Sequence, residues 1–220
     1  MGEGKAILWD NDGVLVDTER WFFEANRREL AALGVEVSWA DFEEINLKRG
    51  ESLLPLSGLE GDELKELYGR RDALYAALLR TEEIAISGME DLLGELKGEG
   101  FVMGIVTSSH RESFEIIHGR SGLLASMDFW VVRENYDRGK PHPDGYLMGI
   151  ERAGVAVGDC LAVEDSPRGV AAARGAGLEV VYYSPGGVGA EREVGAVWWR
   201  AGSPEELGET IRGWGRDRGV

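Results

Sequence analysis

A single cysteine, Cys160, excludes an internal disulfide, the staple of small secreted domains. It lies just before Leu161-Ala162-Val163, so it reads as buried filler rather than as a reactive thiol. No apolar run reaches the roughly 18 residues that a membrane span needs. The opening Met1-Gly2-Glu3-Gly4-Lys5 lacks the apolar segment of an export signal. A cytoplasmic location without membrane contact is therefore expected. Positive charge is scarce: 24 lysines and arginines face 40 aspartates and glutamates, for a net charge of −16. That balance argues against nucleic acid, whose phosphates are bound by clustered basic residues. It also repels small anions at long range, so any phosphate site requires a local cation to reverse the field. Internal repeats and low-complexity tracts are absent too.

What is present is an alternation of two patterns. Ala6-Ile7-Leu8-Trp9, Phe101–Val106, Leu161-Ala162-Val163 and Val180-Val181-Tyr182 are short, nearly continuous apolar runs. Such runs suit strands of a parallel sheet covered on both faces. Between them lie helical patterns at Met89–Lys97, Pro143–Ala153 and Pro167–Gly175, and Ser203-Pro204-Glu205-Glu206 predicts a capped final helix. The alternation predicts an α/β fold built on a doubly wound parallel sheet. From about Thr18 to Glu83 no strand-like run occurs. Leu64, Leu67, Tyr68, Arg71, Leu74, Tyr75 and Leu78 recur at helical spacing, and Phe22, Phe23, Ala25, Leu30 and Leu33 suggest a second amphipathic helix. The expected organisation is a core of residues 1–17 and 88–220, with an all-helical insertion at 18–87. An insertion after the first strand is expected to lie over the ligand site as a lid, since open α/β sheets bind ligands beyond the carboxyl ends of their strands.

Polar residues gather after the strands. Asp10, Asp12 and Asp17 follow the first, Thr107-Ser108-Ser109 the second, and Glu164-Asp165 the strand near residue 162. Taken singly, each has a plain structural reading. Asn11-Asp12-Gly13 is a good turn, Thr107-Ser108-Ser109 a helix cap, Glu164-Asp165-Ser166-Pro167 a helix N-terminus, and Lys140 a solvated lysine. Together they crowd four carboxylates, those of Asp10, Asp12, Glu164 and Asp165, into one place if the strands are neighbours. Each pair about 4 Å apart repels by roughly 4 kcal/mol at an effective dielectric near 20. Such a cluster needs a cation or shifted proton affinities. Oxygen ligands without histidine or cysteine fit Mg²⁺, and Mg²⁺ with Lys140 would offset the field that repels a phosphate.

Asp10-Asn11-Asp12-Gly13-Val14-Leu15-Val16-Asp17-Thr18-Glu19 resembles the first motif of the haloacid dehalogenase superfamily. Thr107-Ser108-Ser109, Lys140-Pro141-His142-Pro143 and Glu164–Ala173 resemble the other three, in order, so that the likeness spans about residues 5–183. The helical insertion matches the cap of the phosphatase and β-phosphoglucomutase branch. Trp9 stands where phenylalanine is usual, and Ser87 where proline is common. By this resemblance Asp10 is the nucleophile, Asp12 the general acid and base, and Thr107, Ser108 and Lys140 hold the phosphoryl oxygens. It implies Mg²⁺ held by Asp10, the carbonyl of Asp12 and Asp165, with Glu164 acting through a water. The presence of Asp12 separates phosphoryl chemistry from dehalogenation. Lys48 and Arg49, in Leu47–Ser52, resemble the cap loop that sets substrate specificity, though a solvated helix end explains them equally. The expected activity is hydrolysis of a small phosphate monoester such as a sugar phosphate. A phosphomutase and, more remotely, a non-catalytic binding protein are the rival expectations. The sequence leaves the oligomeric state open, with a monomer allowed.

Overall fold

Among the described residues, short and mostly apolar runs form six strands: β1 (Ala6–Trp9), β2 (Val102–Val106), β3 (Phe129–Val131), β4 (Cys160–Glu164), β5 (Glu179–Tyr183) and β6 (Trp199–Ala201). The computed structural model describes residues 4–185 and 197–216; the remaining parts of the expected 1–17 and 88–220 core lie outside the described residues. All neighbouring pairs are parallel, in the order β3-β2-β1-β4-β5-β6. The helices are α1 (Glu19–Ala31), α2 (Trp39–Phe42), α3 (Gly61–Thr81), α4 (Met89–Gly98), α5 (Arg111–His118), α6 (Asp144–Ala153), α7 (Pro167–Gly175) and α8 (Pro204–Arg216).

The near-continuous apolar character of the central strands follows from burial on both faces. Successive side chains point to opposite sides of a strand. Ala6 and Leu8 join Ala162, Val180 and Tyr182 in one core with Tyr146 of α6 and Val170 and Ala172 of α7. The alternate residues Ile7, Trp9, Leu161, Val163 and Val181 are as deeply buried. α6 packs on β1, β2 and β3, α7 on β4 and β5, and α8 on β5 and β6 with α4 against it. Fully burying one such aliphatic side chain stabilises the fold by about 1.5–3 kcal/mol. Ser203 Oγ accepts from the Glu206 amide at 3.3 Å at the start of α8, while the Glu206 carboxylate accepts from Gly202, one residue earlier than a reciprocal capping box would have it. Cys160 is buried, and that burial pushes its thiol up to about 11.

Strand order reverses between β1 and β4, the switch point at which a crevice opens beyond the strand ends of a doubly wound sheet. It is here that β1 hands over to Asp10 and β4 to Asp165.

Two compact units divide the chain: residues 1–16 with 85–220, and Asp17–Ile84. Val16 and Ala85 pair in an antiparallel bridge where the chain leaves and re-enters the first unit. The second is helical throughout. α2, opened by a reciprocal Ser38–Asp41 capping box, runs into a π-helical turn at Glu43–Lys48, and a 3-10 turn follows at Leu54–Ser57. Leu30, Phe42, Leu53, Leu54 and Leu67 form its core, bordered by Phe22, Phe23, Leu64 and Tyr68. Arg71 of α3 is buried over the rings of Phe22 and Tyr68 and donates to Asn26 Oδ1 of α1 at 3.1 Å. Leu33 departs from the expected apolar stripe: α1 ends at Ala31, and Leu33 lies beyond it, 44% exposed. No helix among the described residues is long and apolar enough to cross a membrane.

Candidate active site

Parallel pairing sets Trp9 opposite Val163, so the next residues, Asp10 and Glu164, come side by side at the sheet's carboxyl edge. The Asp10 amide continues the ladder, donating to the Val163 carbonyl at 2.9 Å. Carboxylate oxygens of Asp10, Glu164 and Asp165 lie within 4.8 Å of one another, and all three residues are buried. Lys140 reaches them from the loop before α6. Its ammonium donates to Asp10 Oδ1 at 2.7 Å, to Glu164 Oε1, and to the Val106 carbonyl at the end of β2 at 3.2 Å. Three buried carboxylates thus face one buried ammonium. Burial alone would lower the lysine, but Asp10 and Glu164 outweigh it and hold Lys140 above the ordinary lysine range. Burial first, and then the charge of Glu164, push the Asp10 carboxyl up to about 8 despite Lys140.

Glu164 is fixed from other sides as well. The Tyr146 hydroxyl donates to its Oε1 at 2.7 Å, and Ser166 Oγ donates to Oε2 at 3.3 Å while accepting from the Gly169 amide as the N-cap of α7. Arg168 donates to the Lys140 main-chain carbonyl, tying α7 to the lysine loop. Two glycines make room: a Cβ on Gly13 would lie 2.0 Å from Asp165 Oδ2, and one on Gly169 would lie 1.9 Å from Glu164 Oε2.

Asp12, two residues beyond Asp10, is held differently. Its Oδ2 accepts from Ser109 Oγ at 2.7 Å and Thr107 Oγ1 at 3.2 Å, and the Ser109 amide donates to Thr107 Oγ1 at 2.9 Å. The loop after β2 therefore presents Thr107 and Ser109 to Asp12, while Ser108 is exposed. Behind the loop, buried Asn11 meets buried His118 of α5: His118 Nε2 is 2.8 Å from Asn11 Oδ1, and His118 Nδ1 is 2.9 Å from Ser121 Oγ.

The structure brings together Asp10, Glu164, Asp165 and Lys140, and separately Asp12 with Thr107. The Asp12 carboxylate does not belong to the buried three-carboxylate group. Lys48 and Arg49 lie in the helical unit, at the end of the π-helical turn, and both pair with Glu44, at 3.1 and 2.9 Å. His110 and Arg111 open α5 and are held there by Glu134. Sequence reasoning missed Ser109 as a partner of Asp12, Tyr146 as a partner of Glu164, and the Asn11–His118 pair. Only Ser109 had a local signal, its place in the hydroxyl triplet.

A buried, oxygen-only group of carboxylates beside a fixed ammonium is suited to a hard cation and to an anionic substrate. The model of the haloacid dehalogenase-like hydrolases matches residues 5–177. Hexitol phosphatase A of Escherichia coli is 33% identical over 183 residues, spanning 80% of this chain and 82% of that protein. The β-phosphoglucomutase of Bacillus subtilis is 29% identical over 187 residues, spanning 80% and 82%. Among solved structures, CbbY from Rhodobacter sphaeroides in complex with phosphate superposes with a TM-score of 0.76 at 26% identity, covering 93% of this chain and 96% of that one. With its fold, its strand-end carboxylates and a family match over most of its length in agreement, the chain belongs to the haloacid dehalogenase-like hydrolases.

Proposed function

We propose that this protein is a phosphatase of small phosphate monoesters, sugar phosphates foremost, acting through a covalent phosphoryl group on Asp10. The observation that carries this reading is the Asp10 carboxylate, gripped by Lys140 at 2.7 Å among buried carboxylates, with Asp12 held two residues away by Ser109 and Thr107. Asp10 attacks phosphorus, the ester P–O bond breaks, and Asp12 gives the departing oxygen a proton. A water then attacks the phosphoryl group, Asp12 takes the water's proton, and the bond to Asp10 breaks to release inorganic phosphate. Lys140, Thr107 and Ser108 supply donors to the phosphoryl oxygens, where negative charge gathers in the transition state.

The donor set fits Mg²⁺. Its ligands are hard oxygens, close enough together to share one ion, and nitrogen and sulfur ligands do not enter the group. Asp10, Asp165 and the main-chain carbonyl of Asp12 would hold it, with Glu164 adding charge. When bound, the ion would neutralise charge on the transferring phosphoryl group. Asp17–Ile84 is read as the cap, and Lys48 and Arg49, both paired with Glu44 inside it, as its candidate specificity residues. The relatives support the phosphate-ester substrate, and a cytoplasmic location belongs to the same proposal.

The likeness to a β-phosphoglucomutase favours one second reading, transfer to another sugar hydroxyl in place of water. A panel of sugar phosphates assayed with and without Mg²⁺ distinguishes the two. The phosphatase releases inorganic phosphate only with Mg²⁺, and Asp10→Asn lowers that release by about 10³-fold or more. Isomerised sugar phosphate without release of inorganic phosphate overturns the phosphatase; full turnover by Asp10→Asn overturns the nucleophile.

A further inference from the structure

Asn11 sits between the two aspartates of the reaction, and its side chain is fully buried, with its amide nitrogen on Asp12 and its oxygen on His118. Its partners form a directed chain. The Asp12 carboxylate accepts, so the Asn11 amide nitrogen faces Asp12 Oδ2, at 3.4 Å. Asn11 Oδ1 is then turned to His118, which places the ring proton on Nε2, 2.8 Å away. Burial lowers the imidazole to about 4, against a smaller opposing pull from Asp12, so near neutral pH the ring is uncharged and Nδ1 accepts from the Ser121 hydroxyl at 2.9 Å. Phe114, one turn earlier in α5, packs on the imidazole with ring centres 4.4 Å apart and restricts its rotation. The main chain of Asn11 is equally committed, its carbonyl accepting from the amides of Leu15 at 2.8 Å and Val16 at 3.1 Å. A side chain that holds Asn11 therefore holds the whole loop on which Asp10 and Asp12 ride.

We propose that His118 is a positioning residue for phosphoryl transfer: through Asn11 it sets the loop between the nucleophile and the acid/base and orients the Asp12 carboxyl. The inference rests on the reading of Asp10 and Asp12 given above. Ser121, His118 and Asn11 form a one-way relay in which each donor fixes the orientation of the next acceptor, and such chains strengthen cooperatively in a buried setting. Ser109 and Thr107 hold the same Asp12 oxygen, so Asp12 is held both by the β2 loop and by Asn11, which His118 of α5 anchors. A merely space-filling role for His118 would be met by any side chain of similar bulk. A positioning role requires a donor where Nε2 stands, which glutamine supplies and phenylalanine does not.

Steady-state kinetics on a sugar phosphate with saturating Mg²⁺ test this, alongside the chemical shift of the Asn11 side-chain amide. For His118→Phe, kcat falls roughly tenfold with KM within about twofold, the signature of misplaced reacting groups with binding intact. His118→Gln restores most of the loss, and Ser121→Ala costs about two- to threefold. In all three variants the Asn11 amide resonance, assigned with Asn11→Ala, moves in the order of the kinetic losses. Equal kcat values for His118→Phe and His118→Gln, or KM rising in step with kcat loss, overturn the inference. Should His118→Phe fail to fold, an unmoved Asn11 amide in Ser121→Ala does the same. Wild-type protein that releases no phosphate from any sugar phosphate overturns the phosphatase reading instead, and the amide shifts still decide the relay.

Discussion

Gly13 illustrates how one missing carbon shapes the site. Its φ of +81° lies in the left-handed region, and a Cβ there would stand 2.0 Å from Asp165 Oδ2. Two costs follow for Gly13→Ala: a backbone term of roughly 1–2 kcal/mol, and expulsion of the Asp165 carboxylate from the group it shares with Asp10 and Glu164. Gly34 separates them, because its φ is +77° and no atom lies within 4 Å of its would-be Cβ. Gly34→Ala is expected to lower stability by the backbone term alone and leave Mg²⁺ dependence unchanged. Gly13→Ala should in addition weaken apparent Mg²⁺ affinity by about 10–100-fold, the range found when the support of a metal ligand is disturbed. A Mg²⁺ titration of phosphate release by both variants gives the comparison. Equal Mg²⁺ affinities would show that Asp165 is not held by the space Gly13 leaves. Lys140 is the counterpart in charge, and no neutral residue can stand between Asp10 and Glu164 without leaving both carboxylates uncompensated.

Among the elements, legibility tracks burial. β1, β2, β4 and β5 could be read as strands because burial on both faces makes their apolar runs nearly unbroken. β3 and β6 could not. Each is a three-residue edge strand with an exposed middle residue, Trp130 or Arg200, so neither a run nor an alternation is long enough to register. The same division holds at the site. Asp10, Glu164 and Asp165 stand where strands end, a place that chain order alone reveals. His118 looks like any cation at a helix C-terminus, and its partner Asn11 lies 107 residues away, so only the packing of α5 makes the pair. The helical unit shows what its own core supports. Leu67 of α3 is fully buried among Leu30, Phe42, Leu53 and Leu54, and Leu67→Ala is expected to cost about 2–5 kcal/mol. Because those contacts are all inside Asp17–Ile84, hydrogen exchange should show protection lost across α1 and α3 while β1, β2 and β4 keep theirs. Uniform loss of protection in both units would mean that the helical unit has no cooperativity of its own.

At the scale of the whole molecule, stability against pH reports the buried charges, and the signs can be worked out group by group. Glu24 is lowered to about 2, first by its bond to Arg27, so its contribution is present above the ordinary carboxylate range and lost only in strong acid. Lys140 is raised, so its contribution is complete below the ordinary lysine value of 10.5 and lost only above it. Two groups act between these limits, with opposite slopes. His118, ordinarily 6.5, is lowered by burial to about 4; in that interval the unfolded chain binds the extra proton, and stability rises with pH. Asp10, ordinarily 3.8, is raised by burial and Glu164 to about 8; there the folded chain binds the extra proton, and stability falls with pH. Below about 6.5 the two slopes offset. From 6.5 to 8 only the Asp10 slope remains, at most about 1.4 kcal/mol per pH unit. In chelator, the melting temperature should therefore fall by a few degrees from pH 6.5 to 8, since each kcal/mol is worth about 2–4 °C in a chain of this size. Asp10→Asn should abolish that fall and uncover the His118 rise below pH 6.5. The general repulsion of a chain carrying −16 is common to both proteins, so their difference isolates the site. Saturating Mg²⁺ should remove the fall in the wild type, because a cation that takes the place of the Asp10 proton gains affinity as pH rises. A melting temperature in chelator that is flat from 6.5 to 8, or that falls equally in Asp10→Asn, would place the extra proton elsewhere than on Asp10.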